Sequence, residues 1–218
     1  MSALPAPDEP GRDCALCPRL QKFRLAQRAE HGDWHNAPVP SFGALDARLL
    51  IVGLAPGLKG ANRTGRPFTG DYAGDLLYET LIRFGFASGA YDRRPDDGLE
   101  LVDCAIVNAV RCAPPQNKPT PQEIAACRAY LTRSIGALGN LEIVLALGRV
   151  AHGAVLRAFG ARAADFPFAH GARHALKPCG PSLFDSYHCS RYNTNTGVLT
   201  EATFRDVFAS IRAELDCS

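Results

Sequence analysis

Four of the eight cysteines have the spacing of a single metal centre: Cys14-Ala-Leu-Cys17, followed far downstream by Cys112 and Cys127. A C-x2-C pair chelates through one turn of backbone, and two later thiolates complete the set of four that zinc or an iron–sulfur cluster requires. Spacing alone does not choose between those metals, and isolated Cys112 and Cys127 would also suit core filling, since free cysteines are commonly buried. Cys104, Cys179, Cys189 and Cys217 have no paired spacing and read as structural. A second concentration of chemistry is GLAPGLKGANRTGRPFTGDYAGD, Gly53 to Asp75, with glycines at 53, 57, 60, 65, 70 and 74. Such a turn lets backbone approach a flat or charged ligand and leaves N–H groups facing it. Neither G-x-G-x-x-G nor G-x-x-x-x-G-K-[ST] occurs here, which disfavours nucleotide cofactors.

Several polar side chains fall at the same kind of position. Asp71 precedes Tyr72 and suits a helix N-cap. Asn117, in APPQNKP, offers both a donor and an acceptor, and equally suits a turn. His188 stands before the Arg-, Asn- and Thr-rich stretch CSRYNTNTG. Lys59, Arg63 and Arg66 could meet phosphates. His170 and His174 lie four apart, but Gly171 between them argues against a helix presenting both to a metal, and they read as loop residues.

The elements that must position these residues follow from periodicity. Arg48–Ala55, Leu101–Val110, Leu141–Leu147 and Ser182–His188 are short apolar runs rich in Val, Ile and Leu, as strands covered on both faces require. Helical patterns separate them: Tyr72–Phe84, Thr120–Leu138 with its Thr-Pro-x-Glu opening, Arg149–Phe159 and Thr200–Leu215. Strands alternating with helices predict an α/β fold: a three-layer, open, mainly parallel four-stranded sheet with helices on both faces. Ligands then gather beyond the C-terminal strand ends, where every motif above falls.

With 218 residues, 46% hydrophobic and 21% charged, the chain fits one domain spanning 1–218, residues 1–12 forming a flexible Pro-rich tail. A formal charge of +2 is too small for a protein that coats nucleic acid, but allows an enzyme that visits it. No apolar run is long enough to cross a bilayer, and MSALPAPDEP lacks the features of a signal peptide, so a cytoplasmic protein without membrane partners is expected. In that compartment the cysteines are not expected to form disulfides.

Taken together, GLAPG, NRTGRPFTGD, VRCAPPQNKPTPQEI and SYHCSRYNTNTG resemble the type-B, or family five, uracil-DNA glycosylases, over Cys14 to about Leu199. The resemblance implies a monofunctional glycosylase that flips uracil, and hypoxanthine or related deaminated bases, out of DNA and hydrolyses the N-glycosidic bond to leave an abasic site. It also implies a structural [4Fe-4S] cluster on Cys14, Cys17, Cys112 and Cys127, no diffusible cofactor, and a monomer. Residue by residue, it assigns Phe68 to stacking on the extruded base and Gly53 and Ala55 to the pocket wall. Asp71 would orient water and stabilise the oxocarbenium-like sugar, with Asp75 ranked second. Asn117 would hold base or water, His188 would hydrogen-bond the departing base, and Arg191 and Tyr192 would enter the minor groove. Two departures stand out. Leu54 and Ala55 replace the acid or amide that other glycosylase classes carry in the first motif, and Cys189 replaces the proline of His-Pro-Ser. A non-catalytic or covalent damaged-DNA binder using the same pocket is the alternative.

Overall fold

In a computed structural model of the chain, residues 9–176 and 180–217 are described, so Cys179 and most of the expected tail lie outside them. The strands are β1 (Phe42–Gly43), β2 (Leu49–Gly53), β3 (Ala87–Ser88), β4 (Glu100–Leu101), β5 (Cys104–Asn108), β6 (Ile143–Leu147), β7 (Arg173–Ala175) and β8 (Ser182–Ser186). The helices are α1 (Pro18–Glu30), α2 (Ala61–Thr64), α3 (Tyr72–Arg83), α4 (Pro121–Ala137), α5 (Arg149–Ala158), α6 (Arg191–Asn195) and α7 (Glu201–Leu215).

The main sheet has six strands, not four, in the order β1-β5-β2-β6-β8-β7. The four expected strands are its parallel centre, β5-β2-β6-β8. To them β1 and β7 add short antiparallel edges. Every residue of the central four is buried. Alternate side chains therefore feed two separate cores. Leu49, Ile51, Ile106 and Leu145 pack with Leu77 and Leu81 of α3 and with Phe204, Phe208 and Ile211 of α7. Leu50, Val52, Val107 and Val144 pack on the opposite face with Leu131 of α4 and with Ala151 and Val155 of α5.

Two expected strands are shortened for identifiable reasons. The run Leu101–Val110 is divided at Asp103, whose left-handed φ of 53° turns the chain. Leu101 pairs with Ala87 in a separate two-stranded ribbon, and Cys104 begins β5. In the first run, Leu54 and Ala55 leave the sheet and turn into the glycine-rich segment. At α4 the Thr-Pro-x-Glu opening forms a capping box: the Glu123 N–H donates to Thr120 Oγ1 at 3.3 Å, and the Thr120 N–H donates to Glu123 Oε2 at 2.7 Å.

Residues 9–12 of the expected tail are held against the domain. Glu9 Oε1 accepts from the Ser41 N–H (3.0 Å) and hydroxyl (2.6 Å) and lies 3.2 Å from a nitrogen of the buried Arg111. His174 belongs to β7 rather than a loop, because Asp185 draws two imidazoles together. The Asp185 carboxylate is 2.7 Å from Nδ1 of His152 and 3.0 Å from Nε2 of His174. Nε2 of His152 is 2.9 Å from the Phe166 carbonyl, so the buried cluster also fixes the segment before β7. His170 remains outside the strands and stacks on Tyr187 with ring centroids 5.1 Å apart.

Candidate active site and metal centre

At the C-terminal ends of β2, β5 and β8 lies a cavity of about 360 Å³, within the range of small-molecule sites. Ala55, Phe68, Asp71, Asn117 and His188 line it, residues carried by separate segments of the chain. Asn108, at the end of β5, lines it as well. A polar residue near a strand end has many uses, so its position alone does not mark it in the sequence. Its distinguishing signal is its place as the one amide closing an otherwise apolar, fully buried strand.

Phe68 is 6% exposed and adopts φ 52°, a left-handed conformation costly for a bulky side chain and informative where function needs it. Its carbonyl accepts from the Tyr91 hydroxyl at 3.2 Å. Its ring lies over Gly53, where an added Cβ would stand 2.7 Å from Phe68 Cζ and collide with Asn108 Oδ1. Gly53 therefore shapes the wall from behind rather than lining the cavity. At Gly74 a Cβ would strike the Phe68 carbonyl. The Phe68 and His188 rings are stacked 5.8 Å apart. One apolar plate and one imidazole thus border the space that a planar base would fill.

Asp71 performs the local task expected from its position: it is the N-cap of α3, and its Oδ1 accepts from the Gly74 N–H at 3.2 Å. The second oxygen faces the glycine-rich turn, and a Cβ on Gly57 would come within 2.9 Å of it. Burial raises its pKa above the usual carboxylate value, against the lowering effect of the Gly74 and Ala73 N–H groups. Asp75 is differently placed: Arg93 holds it through two hydrogen bonds of 2.8 and 2.7 Å, and it does not border the cavity.

Asn117 ends a one-turn 3-10 segment in which both Gln116 and Asn117 take φ 56°. Asparagine tolerates that region, which projects its amide from the turn. His188 follows β8, and its carbonyl accepts from Asn193 Nδ2 at 2.8 Å. Burial pushes its pKa down to about 4, so at neutral pH it is an uncharged imidazole able to donate one hydrogen bond. The residue in the proline's place, Cys189, is fully buried, with its thiol 3.4 Å from the Ala73 carbonyl.

Arg191 borders the cavity from α6, its guanidinium 5.2 Å from the Tyr72 ring centroid. Tyr192 is 75% exposed on the same short helix, outside the cavity. Of the three cations in the glycine-rich stretch, Lys59 and Arg63 are exposed. Arg66 is committed elsewhere: it is buried in a paired contact with Asp97 at 2.8 Å, beneath the rings of Phe42, Tyr78 and Tyr91.

Cys14, Cys17, Cys112 and Cys127 come together in one recess with Arg24, Arg111 and Tyr130. Helix α1, absent from the sequence-based expectation, makes this possible: Cys17 is its N-cap, and Arg24 on its buried side donates to the Cys112 sulfur (3.3 Å) and the Cys14 carbonyl (2.8 Å). The Arg111 N–H donates to the Cys127 sulfur at 3.4 Å. As free thiols, Cys17 and Cys127 are pushed to about 11, by burial first and then by neighbouring cysteines. Arg24 is 3% exposed, and among the described residues no carboxylate pairs with it. A buried cation facing four sulfurs fits a thiolate-bound, anionic centre.

The Uracil DNA glycosylase superfamily description matches residues 40–212. The chain is 47% identical over 199 residues to the type-5 uracil-DNA glycosylase of Thermus thermophilus, covering 89% of this chain and 90% of that one. It is 39% identical over 209 residues to the type-5 enzyme of Pyrobaculum aerophilum, covering 94% and 90%. With a type-4 uracil-DNA glycosylase of the same organism the identity is 37%, over 70% of this chain and 64% of that one. The chain belongs to the uracil-DNA glycosylase superfamily.

Proposed function

We propose that this chain is a monofunctional uracil-DNA glycosylase of base excision repair, a hydrolase of N-glycosyl bonds in DNA that leaves an abasic site. The observation that carries the reading is the convergence of Phe68, Asp71, Asn117 and His188 on one cavity at the strand ends. An extruded base stacks on Phe68, while the Asn108 and Asn117 amides meet its hydrogen-bonding edge. As the glycosidic bond breaks, negative charge grows on the base and positive charge on the sugar. His188, uncharged, donates its N–H to the base oxygen, and Asp71 stabilises the sugar and orients the attacking water. Leu54 and Ala55 supply no general base, and the space they leave supports hypoxanthine as a second substrate. Arg191 and the exposed Tyr192 enter the vacated stack.

The donor set supports a [4Fe-4S] cluster held by Cys14, Cys17, Cys112 and Cys127. When bound, the cluster supplies a structural tie, binding free energy that becomes folding free energy. Around it, α1 and the start of α4 are fixed, and with them the turn bearing Asn117. The protein acts as a cytosolic monomer.

Alkaline cleavage after incubation with uracil-containing single- and double-stranded oligonucleotides tests the reading, with strand scission expected. Binding of uracil-DNA without base release would establish the non-catalytic or covalent binder instead. Iron and sulfide content decides the metal.

A further inference from the structure

Beside the cavity, between α4 and α5, runs an open groove of about 770 Å³. Arg128, Arg149 and Arg157 line it together with Pro119, Phe166 and Phe168, and no carboxylate does. The linings of the two spaces adjoin, although no residue borders both. Pro119 is two residues from Asn117, and Arg149 follows Gly148, whose added Cβ would rest 3.6 Å from His188 Cβ.

Charge in the groove is uncompensated. Among the described residues none of the three arginines has an acidic partner within ion-pair distance; Arg157 donates only to the Gly153 carbonyl, at 3.1 Å, whereas the buried Arg66 is paired with Asp97. Arg128 Nε is buried without a hydrogen-bond partner. Arg149 lies over the Phe168 ring, 5.2 Å from its centroid, a cation set against an aromatic face at the groove wall. The Phe168 ring packs edge-on against the His152 ring, centroids 5.5 Å apart. Unpaired arginines on a groove floored by aromatic rings form the combination that binds single-stranded nucleic acid, phosphates on the cations and a base on the ring.

We propose that this groove binds the DNA strand on one flank of the flipped nucleotide, with backbone phosphates on Arg128, Arg149 and Arg157 and a base against Phe168. The proposal rests on DNA being the substrate. It would give the protein a grip on the strand beyond the few nucleotides the cavity can span.

The test measures binding of the full-length protein to a fluorescent, uracil-free single-stranded oligonucleotide as a function of salt. Each phosphate contact to a single strand contributes about −0.7 to the slope of log affinity against log salt. Arg128→Gln/Arg149→Gln/Arg157→Gln should therefore flatten the slope by about 2, so that between about 50 and 200 mM salt the wild type loses roughly 15- to 20-fold more affinity than the triple variant. Arg83→Gln, on the exposed end of α3 across the sheet, should leave the slope unchanged. Phe168→Leu should weaken binding equally at all salt concentrations. Melting temperature checks that each variant is folded. An unaltered slope in a folded triple variant overturns the proposal, and so does a slope lost equally with Arg83→Gln. Because the probe carries no uracil, failure of the groove is read separately from failure of base excision, which the wild type reports on uracil-DNA.

Discussion

The proposed function gives Asp71 a catalytic task beside its observed one as N-cap, and Asp71→Asn separates the two. As N-cap, asparagine is as good as aspartate, so the hydrogen bond to the Gly74 N–H survives and stability should change by only a few tenths of a kcal/mol. The negative charge, by contrast, disappears. At a separation on the order of 5 Å from the developing sugar cation and an effective dielectric near 20, that charge is worth roughly 3 kcal/mol, about two decades in rate. Asp71→Ala should lose the same rate and about 1 kcal/mol of stability besides. The assay is single-turnover excision from a uracil-containing oligonucleotide, read by alkaline strand cleavage, beside a urea unfolding curve. Since the carboxylate must be ionised and burial raises its pKa, the acid limb of the wild-type rate should begin above the ordinary carboxylate range and vanish in Asp71→Asn. An Asp71→Asn protein that excises uracil within threefold of wild type would refute the electrostatic role and leave Asp71 as a cap alone.

Other outcomes follow from the same geometry. Gly53→Ala forces a Cβ against Phe68 and Asn108, and should cost about 1–3 kcal/mol in stability together with most of the excision activity; unchanged unfolding and kinetics would contradict the packing described. For His188 the folded pKa of about 4 lies below the unfolded value near 6.5, so the unfolded chain alone gains this proton as pH falls between them. Its contribution is complete above pH 6.5, and about 1 kcal/mol of it should be gone by pH 5.5; His188→Gln should shrink the measured difference between pH 7 and 5.5 by that amount. Cys127→Ser should reduce iron and sulfide content and expose residues 113–119 to proteolysis, and retention of a full cluster would disprove this ligand set.

The four central strands were legible as short, continuous apolar runs buried on both faces, and the helices α3, α4, α5 and α7 as longer segments with apolar residues at helical spacing. The edge strands were not. β1 and β7 are two and three residues long and exist only through pairing with β5 and β8. Helix α1 hid for another reason: its buried side includes Arg24 and Gln27, so the apolar stripe that betrays a helix is broken by polar residues, of which Arg24 serves the cysteine recess. Short motifs pointed to Phe68, Asp71, Asn117 and His188, and the fold brings all four to one cavity. Asp71 against Asp75 could only be separated by seeing Arg93 occupy the latter. The cluster of His152, His174 and Asp185 is assembled from three elements, and nothing in local spacing announces it.

The wedge of Phe68 between Gly53 and Gly74 bears on how such a pocket can change over generations. Its ring and the Asn108 amide close on Gly53, so that glycine cannot acquire a side chain while both stay; at Gly74 the obstacle is the backbone carbonyl of residue 68, which no exchange of side chain removes. For Gly53, smaller residues at both 68 and 108 would have to arrive first, and those steps remove a ring and an amide that line the cavity. The route to a new specificity is thereby narrowed to other lining residues, such as Leu54 and Ala55, whose side chains can be exchanged one at a time.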